Sequence, residues 1–492
     1  MTEQAQNIAK NTTWLTLAYI FQKIFAFIYF TLIARWLGAD NIGIYTFAIS
    51  LTTILSVFID FGLSPVLIRE SSKFKEKANE YLNYTNTAKL ILALLSYLAA
   101  IIIVNLLHKP AITQIMVYLA GLIMVMDSFT LSFWAIFRAY QNLKYEAISI
   151  IINQVIIVAI GLLGVLLKFP LYIIVIALLC GSTFSCLYSL ILLKSKLNFK
   201  FKLQWQNEIL KTLFKIALPF ALAGVFTRVY SYLDQVLLSV LIGDQSLGWY
   251  SIAYKATYAL QFVPAAFAAA IFPAMSHYYL NAKDKLQSVF EKSMYFLILI
   301  SVPLAFGTIS LADKIILSLY TSEYQPSILT LQIFILAVIP IFLSYPVGSI
   351  LNSCDKQAIN TMNLGITMIL NIILNIILIP RYHHYGAALA ALISLTAMFI
   401  LNLLWIPKII KVNWKFLLVK FLKTLFAALL MFITIIYLKQ LVNFGILIIL
   451  GALIYTAVMY LIKGFTKADL QYLSQAIFKK PSQSILPEEP LE

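Results

Sequence analysis

The sequence predicts an all-α polytopic membrane protein with about fourteen transmembrane helices. They form two parallel-repeat six-helix lobes around a central cavity, plus two C-terminal helices. Three observations carry this. Of 492 residues, 62% are hydrophobic and 11% charged, and the mean hydropathy is +0.90; a soluble domain is nearer half apolar and a quarter charged. The apolar residues come in runs of about 20, enough to cross a hydrocarbon core as a helix. They do not alternate in runs of about ten, as in a membrane β-barrel. Finally, a motif near residue 38 returns near residue 243.

The spans are predicted near 12–34, 42–66, 86–107, 112–136, 147–167, 171–193, 214–241, 248–275, 293–319, 327–351, 358–379, 386–406, 416–437 and 442–462. The polar start, MTEQAQNIAKN, is unlike a cleavable signal peptide. With the N-terminus cytoplasmic, about 26 of the 36 Lys and Arg fall on the cytoplasmic side and about 6 opposite, as the positive-inside rule requires. An even span count returns the C-terminus to the same side, where Lys463, Lys467, Lys479 and Lys480 agree. The net charge of +16 therefore reflects topology, and no nucleic-acid partner is expected. Cys180, Cys186 and Cys354 form no CxxC pair, and His383-His384 reads as a solvated turn. No disulfide framework, metal site or cofactor is expected.

The expected domains are an N-terminal lobe (1–193), a basic cytoplasmic interlobe segment (194–213), a C-terminal lobe (214–407), two further spans (408–464) and a cytoplasmic tail (465–492). The interlobe segment interleaves Phe199, Phe201, Leu203 and Trp205 with lysines. That pattern suits an interfacial stretch on anionic headgroups, and its position suits a hinge.

LGADNIGIYTFA (37–48) and IGDQSLGWYSIA (242–253) share Gly38/Gly243, Gly43/Gly248, Tyr45/Tyr250 and Ala48/Ala253, each pair 205 residues apart. Upstream, Leu17, Ala18 and Phe21 meet Leu222, Ala223 and Phe226, and Lys23 meets Arg228. A cation in hydrocarbon is costly, from about 3 to more than 10 kcal/mol, and mid-helix it lies about 15 Å from the interface. Two cations at matching depths in a parallel repeat are expected to line a shared polar cavity between the halves. Lys255, early in the next helix, is a third candidate.

Three acids are candidates for ion coupling or for pairing with the cations: Asp60 near the end of span two, Asp127 deep in span four, and Asp234. Asp234 lies six residues after Arg228, about 240° around the helix, so it needs another partner. Arg69 and Arg138 at span ends read as topology anchors, and Arg35 beside Trp36 as an interfacial anchor; all three are weaker site candidates. Pro219, Pro264, Pro303, Pro340 and Pro346 can bend the C-terminal spans.

The stretch LIARWLGADNIGIYTFAISLTTILSVFIDFGLSPVLIRE resembles the N-terminal signature of polysaccharide-transport flippases of the Wzx type, in the multidrug/oligosaccharidyl-lipid/polysaccharide flippase superfamily. The matching residues are Ala34, Arg35, Leu37, Gly38, Gly43, Tyr45, Asp60, Phe61, Gly62, Arg69 and Glu70. The resemblance implies an inner-membrane protein that carries a polyprenyl-pyrophosphate-linked oligosaccharide repeat unit to the outer leaflet by alternating access, for O-antigen, capsule or a related glycan. It implies spans one and seven at the central cavity, the spans of Lys23 and Arg228. It also implies a lipid-linked oligosaccharide as substrate, and a glycan polymerase or other polysaccharide-assembly proteins as partners. No GxxxxGK[ST] motif is present, so coupling falls to a proton or sodium gradient, or to consumption of the flipped product.

The alternatives are an ion-coupled drug exporter of the same superfamily, a lipid II flippase and a membrane glycan polymerase. A drug exporter of cationic amphiphiles is better served by acids than by two matched cations. A polymerase would carry a large outer loop, whereas the predicted outer loops are short, so no enzymatic activity is expected.

Overall fold

The computed structural model describes residues 3–465, with side chains from residue 13. The expected tail beyond 465 lies outside the described residues. Fifteen α-helices follow in order: α1 (Glu3–Asp60), α2 (Leu63–Lys73), α3 (Ala78–Leu106), α4 (Ala111–Ala139), α5 (Lys144–Leu166), α6 (Ile173–Leu197), α7 (Asn207–Leu241), α8 (Asp244–Ala259), α9 (Phe262–Asn281), α10 (Lys283–Leu319), α11 (Ser327–Ile335), α12 (Val338–Ser353), α13 (Gln357–Leu403), α14 (Trp414–Leu438) and α15 (Phe444–Leu461). No strand occurs among the described residues. Hydrocarbon offers no water to backbone amides, so a spanning chain must satisfy them within each helix.

Among the described residues, twelve helical stretches are long and apolar enough to cross a membrane, against the fourteen expected. The difference lies in two long helices in which hydropathy counts two spans each. A straight helix of the 58 residues of α1 would run about 87 Å, nearly three hydrocarbon thicknesses. It breaks at Gly38 (φ 81°, ψ 169°), a backbone that glycine adopts without penalty, and Gln22 before the break lines the same cavity as Tyr45 and Thr52 after it. The other, α13, breaks at His383 (φ 52°, ψ −131°), and Asn371 donates to Ser394 Oγ across it at 3.3 Å. Each is a hairpin of two membrane-length segments.

Helix faces are inverted relative to a soluble protein. On α3, Leu94, Leu95, Leu98 and Ile102 are exposed, while Lys89, Ala93, Ser96 and Ala100 are buried. Lipid accepts the large apolar side chains, so packing falls to small and polar ones.

The described chain falls into two compact units. The first comprises residues 1–260, 316–334 and 357–398. At one end of it, the two repeat motifs interlock. A Cβ on Gly43 would lie 1.7 Å from the Asp244 carbonyl oxygen, and one on Gly248 would lie 1.9 Å from that of Ala39. The contact is reciprocal, because both partners are also 205 residues apart. Only glycine lets two backbones approach so closely. Around this crossing, Lys109 Nζ donates to Asp244 Oδ1 (3.1 Å) and Ser239 Oγ (2.7 Å). Glu323 Oε1 accepts the Ala39 amide at 2.8 Å, its carbonyl accepts Trp249 Nε1 at 2.9 Å, and Tyr324 donates to Ala34 O at 2.9 Å.

Toward the other end, the expected hinge segment is pinned along α3. The amides of Lys200 and Lys202 donate to Asn79 and Asn83 Oδ1 (2.9 and 3.3 Å), and that of Gln204 donates to Thr87 Oγ1 (3.1 Å). Asn83 Nδ2 also donates to Lys200 O at 3.0 Å. Alternate amides of an extended chain meet side chains four residues apart on a helix because the two repeats are similar in length. Phe199 is buried and Phe201 packs on the same cluster, while Leu203 and Trp205 remain exposed.

The second unit comprises 261–315, 335–356 and the chain from 399 onward. In it α9 packs on α12 and α14 on α15. Buried Leu311, Met431, Ile435 and Leu447 form one cluster, and Lys439 pairs with Asp313 at 3.0 Å. Pro303 and Pro346 lie inside helices of this unit, and Pro219 inside α7 of the first.

Candidate functional site

The first unit encloses a cavity of about 650 Å³ between segments of α1, α2, α4, α5, α6 and α7. Its wall carries Asp60, Asp127 and Arg228 of the predicted charged residues, together with Gln22, Asn153, Gln154, Ser182 and Trp134. Lys23, the repeat partner of Arg228, is not in this wall. It is exposed, as is Lys255. Of the two repeat-matched cations, this cavity's lining therefore includes Arg228 alone.

Lys255 Nζ stands 5.4 Å from the Phe30 ring, a weakly attractive cation–π contact. Among the described residues, neither Lys23 nor Lys255 has a hydrogen bond or ion pair. The Lys255–Phe30 contact has a counterpart under the 205-residue repeat: Ser50 donates to Gln235 Oε1 at 2.6 Å. A polar pair in one half is thus a cation over an aromatic ring in the other.

Asp60 is held by Lys89, a fully buried lysine that the sequence reading did not single out. Its three N–H groups are all used: Asp60 Oδ1 at 2.6 Å, Ser64 Oγ at 3.0 Å and Ser128 O at 2.9 Å. Ser64 also donates to Asp60 Oδ1. Hydropathy reads Lys89 as a lysine at the start of a span, free to snorkel; its position opposite Asp60 is a tertiary fact.

Asp127 and Ser182 both line the cavity. Asp234 is buried and accepts from Tyr250 and from the Gln235 amide. Its partner is therefore a tyrosine of the repeat motif, not a cation.

Among the expected anchors, Arg35 is exposed and donates to Ser318 O at 3.3 Å. Arg69 is exposed beside Glu70 at 3.4 Å. Arg138 does more than anchor. It clamps fully buried Glu146 with two hydrogen bonds, one from Nε at 2.8 Å, and Tyr19 donates to the same carboxylate at 3.2 Å. This ties α1, α4 and α5 together. Glu146, like Lys89, escaped the sequence reading because it opens a span where an exposed acid is ordinary. His384 is buried against Trp249, with ring centroids 5.1 Å apart, and no metal-binding cluster exists among the described residues.

The chain resembles known membrane proteins over most of its length. It is 24% identical over 413 residues to a low-salt glycan biosynthesis flippase of Haloferax volcanii, covering 83% of this chain and 86% of that one. It is 25% identical to an O-antigen transporter of Shigella flexneri over 60% of this chain and 73% of the relative. A capsular polysaccharide biosynthesis protein of Staphylococcus aureus is 22% identical, covering 79% of this chain and 96% of that protein. Among solved structures, the lipid II flippase MurJ in an inward closed conformation superposes with TM-score 0.76 at 19% identity, over 91% of this chain and 98% of that one. An inward-facing multidrug resistance MATE family transporter superposes with TM-score 0.64 at 13% identity, over 78% and 93%. These identities establish a shared fold. Residues 219–377 match the MatE family, and residues 8–279, more than half the chain and including both copies of the repeat motif, match the polysaccharide biosynthesis protein family; the chain belongs to that family.

Proposed function

We propose that this multi-pass membrane protein is a flippase for a polyprenyl-pyrophosphate-linked oligosaccharide repeat unit. It moves the unit from the cytoplasmic to the outer leaflet by alternating access. The observation that carries the reading is that Lys23 and Lys255, two lysines on membrane-length helices, are exposed and have no carboxylate partner among the described residues. Such cations are unfavourable there unless water or an anion compensates them. A pyrophosphate supplies at least two negative charges on adjacent groups, and charge-assisted hydrogen bonds to it are about twice as strong as neutral ones. The glycan cannot cross hydrocarbon unaided, whereas the polyprenyl tail can remain in lipid.

The names borne by the Haloferax, Shigella and Staphylococcus relatives support this substrate class. The protein acts without covalent chemistry of its own, in the plasma membrane, with both termini cytoplasmic. A proton or sodium gradient, or consumption of the product by a glycan polymerase, drives net transport. Alternation needs two states of similar free energy and a ligand that both accept. Cationic amphiphiles, the cargo of such a drug exporter, would be repelled by Lys23 and Lys255.

The test is complementation. In a strain lacking its own glycan flippase, the chain restores surface glycan, and Lys23→Glu with Lys255→Glu abolishes the restoration at equal protein level. Full export by the double reversal overturns the reading.

A further inference from the structure

The cavity beside Arg228 differs in chemistry from the lysine pair. Of the charges in its wall, Asp60 is already bonded to Lys89, and the other two are Asp127 and Arg228, which make no ion pair with each other. With Lys89 counted, the formal charges sum to zero, and the cavity presents no net charge to attract a phosphate. Its remaining polar groups are amides and hydroxyls. Gln154 is 3% exposed, lies in the cavity wall and makes no hydrogen bond to another described residue. A buried primary amide carries two donors and an acceptor, and leaving them unmade costs about 1–3 kcal/mol. Gln22 and Arg228 likewise line the cavity without a described partner, and Trp134 contributes an aromatic wall.

Closely spaced donors and acceptors of both kinds, zero net charge and an aromatic surface fit a ligand dense in hydroxyl groups with apolar C–H faces. At about 650 Å³, the cavity falls within the ordinary range for small-molecule sites. We infer that this cavity is a glycan subsite, which binds uncharged sugar residues of the cargo while the pyrophosphate is held elsewhere, at Lys23 and Lys255. The inference rests on the flippase reading and adds to it a division of labour. Glycan selectivity resides in Gln154, Gln22, Asp127 and Arg228, and anion binding in the two lysines.

The experiment uses the full chain in detergent and isothermal titration calorimetry with two probes. One is the free oligosaccharide released by mild acid from the lipid-linked pool of the organism that encodes the chain; the other is inorganic pyrophosphate. The expected result is that Gln154→Leu weakens oligosaccharide binding about tenfold and leaves pyrophosphate binding unchanged. Lys23→Gln with Lys255→Gln should do the reverse. Gln22→Leu, at a half-buried position, serves as the second cavity variant if Gln154→Leu misfolds. If the oligosaccharide does not bind, or binds equally to both cavity variants, the subsite is wrong, while lysine-dependent pyrophosphate binding would leave the flippase reading standing. If neither probe binds, both readings fall. If Asp127→Asn abolishes export while every cavity variant keeps oligosaccharide affinity, the cavity serves a proton or cation and the inference is overturned.

Discussion

Ser251 donates a 3.1 Å hydrogen bond to Thr46 Oγ1, and the two residues are each other's counterparts, 205 positions apart in the repeat. Equivalent positions can touch only on the symmetry axis that relates the copies. The reciprocal contacts of Gly43 with Asp244 and of Gly248 with Ala39 flank the same axis. So do the pairs Ser50–Gln235 and Phe30–Lys255. The repeat seen in the sequence is therefore a physical pseudo-two-fold contact, built on backbone-to-backbone approach at two glycines.

That approach makes a steric prediction. Gly43→Ala or Gly248→Ala places a methyl group inside the opposing carbonyl, and each is expected to destabilise by about 1–3 kcal/mol or more. Gly348→Ala is the control, since a Cβ there meets nothing within 4 Å; its unfolding temperature should not fall. Thermal unfolding in detergent checks both. Equal melting of Gly43→Ala and wild type would mean that the crossing is looser than described.

Lys89 should obey the rule for a buried ion pair. Lys89→Met leaves Asp60, Ser64 and the Ser128 carbonyl without the cation that all three share, which should cost about 3–5 kcal/mol. Adding Asp60→Asn removes the stranded charge, so the double variant should be more stable than Lys89→Met alone. A double-mutant cycle by chemical unfolding measures the coupling; strictly additive losses would show that the pair is not a unit.

The basic segment after α6 should resist protease only while α3 holds it. Asn83→Leu removes one acceptor and one donor serving Lys202 and Lys200. Trypsin is then expected to cut after Lys200 and Lys202 several-fold faster than in wild type, because cleavage tracks the population of the locally open chain. The readout is the rate of appearance of the two half-chain fragments on a gel. An unchanged rate would show that the strap is held by Phe199 and Phe201 burial alone.

Much of this protein was legible from one dimension. Hydrocarbon forces apolar runs into helices, so hydropathy located the helical stretches, and a repeat leaves matched letters at a fixed offset. That same offset marked Gly43 and Gly248 before their contact was known. The charged network was less legible. Lys89, Glu146 and Lys109 sit at span ends or in a turn, where sequence alone cannot distinguish a cation that snorkels from one that closes an ion pair. Rotation about the helix axis makes that choice, and no periodicity encodes it when the outside solvent is lipid.

The sequence by itself determined the membrane class, the order of the helices and the parallel repeat, because each follows from local transfer free energies and from letters that recur. Only the tertiary structure decided that Arg228 and Asp127 line one cavity while Lys23 lies outside its wall. The physical reason is that a side chain's electrostatic partner depends on which helix lies opposite it, and that is set by packing among segments far apart in the chain.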